Sequence, residues 1–330
     1  MNRVKVGKLD SELLEKIVFS HIKFRRKEVL VRSGIGEDCA VVDFGEYALV
    51  MSTDPITGAA NEVGKLAVHI NCNDIASNGI QPLGLMMTIL APEKTTEKEI
   101  DQIMEQAASE AAKLNVEIIG GHTEVTRAVN RIVISATAIG KQLKSSIVRN
   151  SEVKIGDKII MTKTAGLEGT GIIAHDLEEK LSSTFSREII EKAQKMVEYI
   201  SVVKEGVIGG KIGASSMHDV TEGGLLGAVW EICSASKVGC NIYRDKIAIS
   251  KETEEICKFL NINPLKLISS GTMVITISPD KEEKLIKELK KSGIDASVIG
   301  EITVTGKYLI ENNREFEIES PQSDELYKVI

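Results

Sequence analysis

Basic charge is in short supply. Forty-one Lys and Arg stand against 48 Asp and Glu in 330 residues, a net charge of −7, which argues against a nucleic-acid binder relying on a basic surface and against a polybasic membrane anchor. Aromatic residues make up 4% of the chain, too few for platforms that stack single-stranded bases. No apolar run approaches the length of a membrane span, and the start of the chain leads into an amphipathic segment without the apolar core of a signal peptide. Cys39, Cys72, Cys233, Cys240 and Cys257 form no C-x-x-C pair, so a disulfide framework and a thiolate zinc site both lack support. The P-loop, the dinucleotide fingerprint G-x-G-x-x-G, H-E-x-x-H and G-x-S-x-G are missing too. These absences predict a cytoplasmic protein with no nucleic-acid or membrane partner, long enough for about two domains. Any metal site in it has to rest mainly on carboxylates.

What is present is an interleaving of helical and strand patterns. A first helix is predicted over Ser11–His21, with Asp10 as its cap and Leu13, Leu14, Ile17 and Val18 as its apolar stripe. Strands are predicted at Cys39–Asp43, Tyr47–Ser52, Gly84–Leu90, Val116–Gly120 and Arg131–Ile139. Between them lie a helix over Glu62–Asn78, stopped by Gly79, and a long helix opened by the capping box at Thr96 and Glu99. After a polar stretch at Lys141–Gly156 come a strand at Lys158–Lys163, helices near 171–181 and 186–200, and a helix from Gly223-Gly224 to about Ala235. Strands at Thr272–Ile277 and Ala296–Thr303 flank a helix over Lys281–Lys291. The alternation predicts an α/β protein with mixed sheets and flanking helices, divided into residues 1–145 and 146–330.

Four acidic spots sit where a strand or helix meets small residues: Gly36-Glu37-Asp38, Ser52-Thr53-Asp54, Asn73-Asp74 and Gly120-Gly121-His122-Thr123-Glu124. Within the second helix Asn71, Asp74 and Asn78 share a face while Val63, Leu66 and Ile70 line another, so Asn71 is a candidate ligand contact beside Asp74. Carboxylates converging on one place repel unless a divalent cation neutralises them, and Mg²⁺ with nucleotide phosphates is a common solution. Spacing alone favours the reading that these are separate turn and cap residues. In the second half, Thr164–Gly171 and His218–Leu225 place glycines before helices, where backbone amides and the helix N-terminus can approach a phosphate. Tight helix-entry turns would leave the same pattern.

The ordered set G-I-G-E-D, S-T-D, N-D and G-G-H-T-E, followed by the glycine-rich second half, resembles the AIR synthase (PurM-like) superfamily over about residues 9 to 310. The layout of Glu62–Asn78 and Ser52–Ile56 is most similar to its hydrogenase-maturation HypE branch. The resemblance implies a two-domain fold whose N-terminal sheets pair into a barrel in a homodimer. It also implies Mg²⁺–ATP as cofactor, phosphorylating an amide or related oxygen of a small-molecule or protein-borne acceptor. It assigns Asp38, Asp54 and Asp74 as metal ligands, with Glu124 supplying charge where relatives carry an Asp at the position of His122. Lys65, Asn71, Gly120, Gly121, Gly166, Gly169, Gly171, Asp219, Gly223 and Gly224 become nucleotide contacts, and Asp54 and His218 catalytic candidates. Glu222 stands where HypE proteins usually carry an Arg. HypE proteins end in a cysteine-bearing tail, and this sequence ends Tyr327-Lys328-Val329-Ile330, so a HypE-like protein with a changed acceptor is expected. A thiamine-monophosphate-kinase-like enzyme and a non-catalytic ATP-binding partner are the alternatives.

Overall fold

Alternating burial along the strands of the first half fixes one face of a sheet toward the core. The strand Val133–Leu143 alternates half-exposed and buried residues along most of its length, the period expected when one face is packed and the other is not. The fold is that of a computed structural model describing Leu9 and residues 11–32, 34–57, 62–149, 152–321 and 323–330; the expected cap Asp10 lies outside the described residues. The first layer comprises β1 (Val29–Val31), β2 (Ala40–Phe44), β3 (Tyr47–Ile56), β4 (Pro82–Ala91), β5 (Glu117–Val125) and β6 (Val133–Leu143). Their order is β1-β2-β3-β6-β4-β5, antiparallel throughout except for the parallel pair β4–β5. Three helices accompany it: α1 (Ser11–Ile17), α2 (Val63–Ser77) and α3 (Glu97–Lys113).

The second layer has β7 (Lys158–Thr162), β8 (Ser216–Asp219), β9 (Gly239–Tyr243), β10 (Met273–Ile277), β11 (Ala296–Thr303), β12 (Lys307–Glu311) and β13 (Arg314–Glu317). They run in the order β13-β12-β9-β11-β7-β10-β8, with β9–β12 the parallel pair. Around it lie α4 (Leu167–Asp176), α5 (Glu178–Ser182), α6 (Arg187–Gln194), α7 (Val203–Ile212), α8 (Gly224–Ser236), α9 (Lys251–Leu260) and α10 (Pro279–Lys291). Every residue of β10 is buried, as in a strand covered on both faces. The architecture is therefore the expected α/β arrangement of two mixed sheets with flanking helices.

Helix α2 joins the two layers. It contacts β3 and β6 on one side and α7 and β8 on the other, and one apolar cluster runs from Val41 and Ile134 through Ala76 to Met217 and Ile275. A Cβ at Gly206 of α7 would lie 2.1 Å from the Ala76 carbonyl oxygen, so the two helices meet backbone to backbone. Asn73 fastens the junction, its Nδ2 donating to the Ile200 carbonyl at 2.7 Å and its Oδ1 accepting from the Val202 amide at 2.9 Å.

Several elements differ from expectation for physical reasons. β3 runs on through Pro55 because β2 pairs only with Tyr47–Met51, and a proline is tolerated where one edge of the strand is open. The Gly120-Gly121 motif lies inside β5, an edge strand, rather than at a strand end. The first helix stops at Ile17, with a separate 3-10 turn at Phe19–His21. The expected 186–200 helix becomes α6 followed by a 3-10 turn over Lys195–Tyr199. No described helix is long and apolar enough to cross a membrane.

Candidate active site

A cavity of about 1090 Å³ opens where the first sheet, α8 and the loops of the second sheet meet. Four of the five aspartates that line it among the described residues come from four separate elements and lie near one another: Asp38 from the loop before β2, Asp54 from β3, Asp74 from α2 and Asp219 from the end of β8. The loop of Asp38 rests against α8, where a Cβ on Gly36 would lie 3.0 Å from the Glu231 carbonyl oxygen. Each of the others is held through its neighbours. The Asp54 amide donates to Asn71 Oδ1 at 2.9 Å, Ser52 Oγ donates to Asp74 Oδ2 at 2.5 Å, and the Asp219 amide donates to Ser77 Oγ at 3.2 Å.

The electrostatics are those of an anionic cluster. Burial pushes the Asp74 carboxyl well above the ordinary carboxylate range, and the charges of Asp219, Asp54 and Asp38 push it further, against the bond from Ser52. His218 stands behind the cluster, 2% exposed and outside the cavity lining. Burial favours its neutral form, but Asp38, Glu231 and Asp219 outweigh that and raise its pKa to about 10. As an imidazolium it donates from Nδ1 to the Asp219 carbonyl at 2.6 Å and from Nε2 to Glu231 Oε2 at 3.0 Å, with Asp38 Oδ1 3.5 Å away. Donor atoms of Asp38, His218 and Asp219 lie within 4.8 Å of one another.

Hard oxygen donors converging in this way suit a hard divalent cation such as Mg²⁺, whose charge would offset the repulsion recorded at Asp74. His218 is engaged as a structural cation, and this arrangement does not present it to a substrate as acid or base. Asn71 is likewise fully buried, its Nδ2 donating to the Ala67 carbonyl at 2.9 Å and its Oδ1 taken by Asp54; it positions Asp54 and does not face the cavity.

The other sequence candidates lie apart from the cavity in this chain. Glu124 is exposed on β5, 3.0 Å from His122 Nε2, with β4 and β6 between that strand and the strand of Asp54. Gly120 and Gly121 share the same edge. Lys65 is buried at the start of α2, its Nζ 3.6 Å from Glu62. The glycine turns are occupied by the protein itself. Around Gly166, Gly169 and Gly171 the Leu167 amide donates to Ser269 Oγ at 3.0 Å and the Gly169 amide to the Ile268 carbonyl at 2.9 Å, so the loop does not offer those amides to a phosphate. At the entry to α8 the Gly223 amide donates to Asp324 Oδ2 at 2.8 Å, and a Cβ on Gly224 would lie 2.7 Å from the Leu265 and Leu267 carbonyl oxygens. A side-chain carboxylate from the end of the chain thus holds the place that sequence pattern gives to a phosphate.

Sequence reasoning gave no role to Ser52 and Ser77, which hold the aspartates through ordinary hydroxyl bonds, or to Glu231, the one charged residue of α8. That last pattern is a readable signal, since a lone carboxylate among Leu225, Val229 and Ile232 requires a buried partner.

Comparison with known proteins agrees with the fold. Residues 36–142 match the model of the AIR synthase related protein N-terminal domain, and residues 154–311 that of its C-terminal domain. A Methanocaldococcus jannaschii protein named for hydrogenase expression and formation is 29% identical over 319 residues, covering 92% of this chain and 90% of the other. The carbamoyl dehydratase HypE of Bradyrhizobium diazoefficiens is 25% identical over 285 residues, covering 84% of this chain and 80% of the other. The thiamine-monophosphate kinase of Pyrococcus horikoshii is 28% identical over 280 residues, covering 81% and 82%. Among solved structures, a HypE–HypF complex superposes with a TM-score of 0.77 at 23% identity, covering 93% of this chain and 99% of that chain. A hydrogenase maturation protein HypE in complex with ATP gives 0.70 at 18% identity, covering 98% of both. The matching of both halves to the family's two domain models, with relatives along most of the chain, leads to one conclusion: the chain belongs to the AIR synthase related family, near HypE.

Proposed function

We propose that the chain is an ATP-dependent enzyme that binds Mg²⁺–ATP at the aspartate end of the cavity and transfers a phosphoryl group to an oxygen of an acceptor. The observation that carries this reading is the convergence of Asp38, Asp54, Asp74 and Asp219 from four elements, with Asp74 buried and held high by the other three charges. The relatives named as carbamoyl dehydratase and kinase, and the HypE solved with ATP, support it. Bound Mg²⁺ supplies charge neutralisation for the phosphates and for the developing transition state. The residues of the chain do the rest by position. Ser52, Asn71 and Ser77 fix the aspartates, and His218 balances Asp38 and Glu231 from behind, keeping the cluster compact without entering it. Phosphoryl transfer requires placement and electrostatics more than a side-chain nucleophile, and no Cys, Ser or Lys needs to be assigned that part.

The reading further takes residues 1–145 as the unit that supplies Asp38, Asp54 and Asp74 to the metal and 146–330 as the unit that supplies Asp219. It also takes the protein as a homodimer formed through the first sheet, whose Leu83, Met86, Ile119 and Val125 are exposed apolar residues. Calorimetric titration of ATP with and without Mg²⁺, followed by phosphate release, tests the function. Binding is expected only with Mg²⁺, and Asp54→Asn is expected to lower turnover at least a hundredfold. Absence of nucleotide binding by the unmodified chain would refute the proposal, and tight binding with no turnover for any acceptor would leave a nucleotide-binding partner protein in its place.

A further inference from the structure

The cavity reaches round the open edge of β3 and touches both faces of the first sheet. Beyond Met51 that strand has no partner on the β2 side. Its ladder with β6 sets Thr53 opposite Thr137, Asp54 opposite Ala136 and Ile56 opposite Ile134. Asp54 thus belongs with the fully buried Ala136 and Ile134 to the packed face. Thr53 and Thr137 belong to the other face, where Thr137 Oγ1 donates to Thr53 Oγ1 at 3.1 Å. All three of Thr53, Asp54 and Thr137 line the cavity.

Arg131 stands on the face of Thr137. It lies two residues before β6, and its neighbour Ile132 packs against the core cluster that holds Ile134 and Ala136, so alternation turns Arg131 to the opposite side. It is exposed, lines the cavity and forms no hydrogen bond or ion pair among the described residues. Eight carboxylate side chains line the same cavity, and Arg131 is the one basic side chain beside them. The cation that Asp38 and Glu231 meet is His218, behind the wall. The five guanidinium donors of Arg131 are therefore left for what the cavity binds. Register bounds the distance: five strand positions separate Arg131 from the partner of Asp54, about 17 Å of backbone at most, and the long side chain extends across part of that. A molecule whose phosphate meets a metal at Asp54 can bring a second anionic group to Arg131.

We infer that Arg131 receives an oxyanion, phosphoryl or carboxylate, of the molecule bound in the cavity, and that it is a specificity-determining residue for that charge. The planar guanidinium matches two oxygens of such a group at once. Among the residues that line the cavity an anion has no other cationic side chain to meet, so removing Arg131 is expected to act on anion affinity alone. The inference deepens the proposed function and rests on it for the metal-bound end of the ligand; the role of Arg131 follows from its own placement. The oxyanion belongs either to the phosphates of the nucleotide or to the acceptor, and the test separates the two.

The full chain is compared with Arg131→Gln and Arg131→Lys in the presence of Mg²⁺, with thermal unfolding as a control. The midpoint is expected to stay unchanged, because an exposed side chain without partners is removed. Two titrations are followed by calorimetry: a non-hydrolysable ATP analogue, and inorganic phosphate added to the analogue-loaded chain. Arg131→Gln is expected to weaken at least one of them tenfold or more, and Arg131→Lys by about threefold, since it keeps the charge without the fork. A loss in the analogue titration identifies the nucleotide as the source, and a loss confined to inorganic phosphate identifies the acceptor. Analogue affinity unchanged in Arg131→Gln, with phosphate binding also unchanged or absent from both chains, would overturn the inference. If the analogue fails to bind the unmodified chain, the proposed function falls, and inorganic phosphate titrated with Mg²⁺ alone still decides the role of Arg131: equal binding to both chains, or to neither, refutes it.

Discussion

Helices α2 and α3 lie side by side against the same sheet, and they are built on opposite plans. Helix α3 has the full capping box at Thr96 and Glu99 and buries only Ile103, Ala107 and Ala111. Helix α2 has no side-chain cap and buries fourteen of its fifteen residues, among them Lys65, His69, Asn71, Asn73, Asp74 and Ser77. A surface helix needs an apolar stripe and good ends; a helix enclosed on all sides needs a partner for each polar group it carries inside. In α2 nearly every such group fastens something: Asn73 the segment before α7, Ser77 the end of β8, Asn71 the Asp54 backbone. Asp74 differs from these, because its surroundings are three further carboxylates. The contrast teaches that polar residues inside an enclosed helix divide into fasteners and one group that the fold holds against its own electrostatic preference.

Each side of that contrast can be broken by substitution. The largest effect is expected for Asn73→Ala, which leaves the Ile200 carbonyl and the Val202 amide buried without partners. At roughly 1–3 kcal/mol for each orphaned group, the loss is about 4 kcal/mol, measured by urea unfolding. A loss below about 1 kcal/mol would mean that water enters the α2–α7 junction and that the residue is not a fastener.

Asp74→Asn is expected to act in the opposite direction. In EDTA it stabilises the protein by about 1–3 kcal/mol, since a neutral amide keeps the bond to Ser52 and removes a penalised buried charge. The pH dependence has a defined sign. The Asp74 carboxyl is raised in the folded state above its ordinary 3.8, so the unfolded chain loses its proton first and stability falls as pH rises above about 4. The advantage of the variant over the unmodified chain is therefore expected to vanish near pH 3 and to grow toward neutral pH. Added Mg²⁺ is expected to raise the thermal midpoint of the unmodified chain and to leave that of the variant nearly unchanged. Equal stabilisation of both by Mg²⁺ would place the ion elsewhere.

The smallest effect belongs to α3. Thr96→Ala removes the cap and is expected to cost about 1 kcal/mol with turnover unchanged. A loss of turnover from that change would show that α3 also serves the site and would dissolve the contrast.

Much of the first half was legible in the sequence because its signals are local. The capping box, the apolar stripe of α3 and the ordered acidic motifs all carry their meaning in short stretches, and the aspartates Asp38, Asp54 and Asp74 do meet. Helix α7 was not read, because Gly206, Gly209 and Gly210 lower its intrinsic helicity while serving a close approach to α2 that no local pattern encodes. The glycine turns at Gly166–Gly171 and Gly223–Gly224 misled for a related reason. A glycine before a helix has the same sequence signature whether its neighbours' amides await a phosphate or meet Ile268 and Asp324. The charge of His218 was equally hidden, since it depends on Asp38, far from it in sequence, and on Glu231, 13 residues further on in α8.

The backbone contact of α2 with α7 also constrains how the cavity can work. Ala76 against Gly206, and the Asn73 bonds across the same seam, leave no room for one layer to swing or slide past the other without breaking buried hydrogen bonds. A clamshell motion, in which two halves close on a ligand, would have to part Ala76 from Gly206 and break both Asn73 bonds. Helix α2 acts as a keel between the layers, and adjustments of the cavity that spare those bonds are confined to the loops that line it, such as the one carrying Gly36 and Asp38.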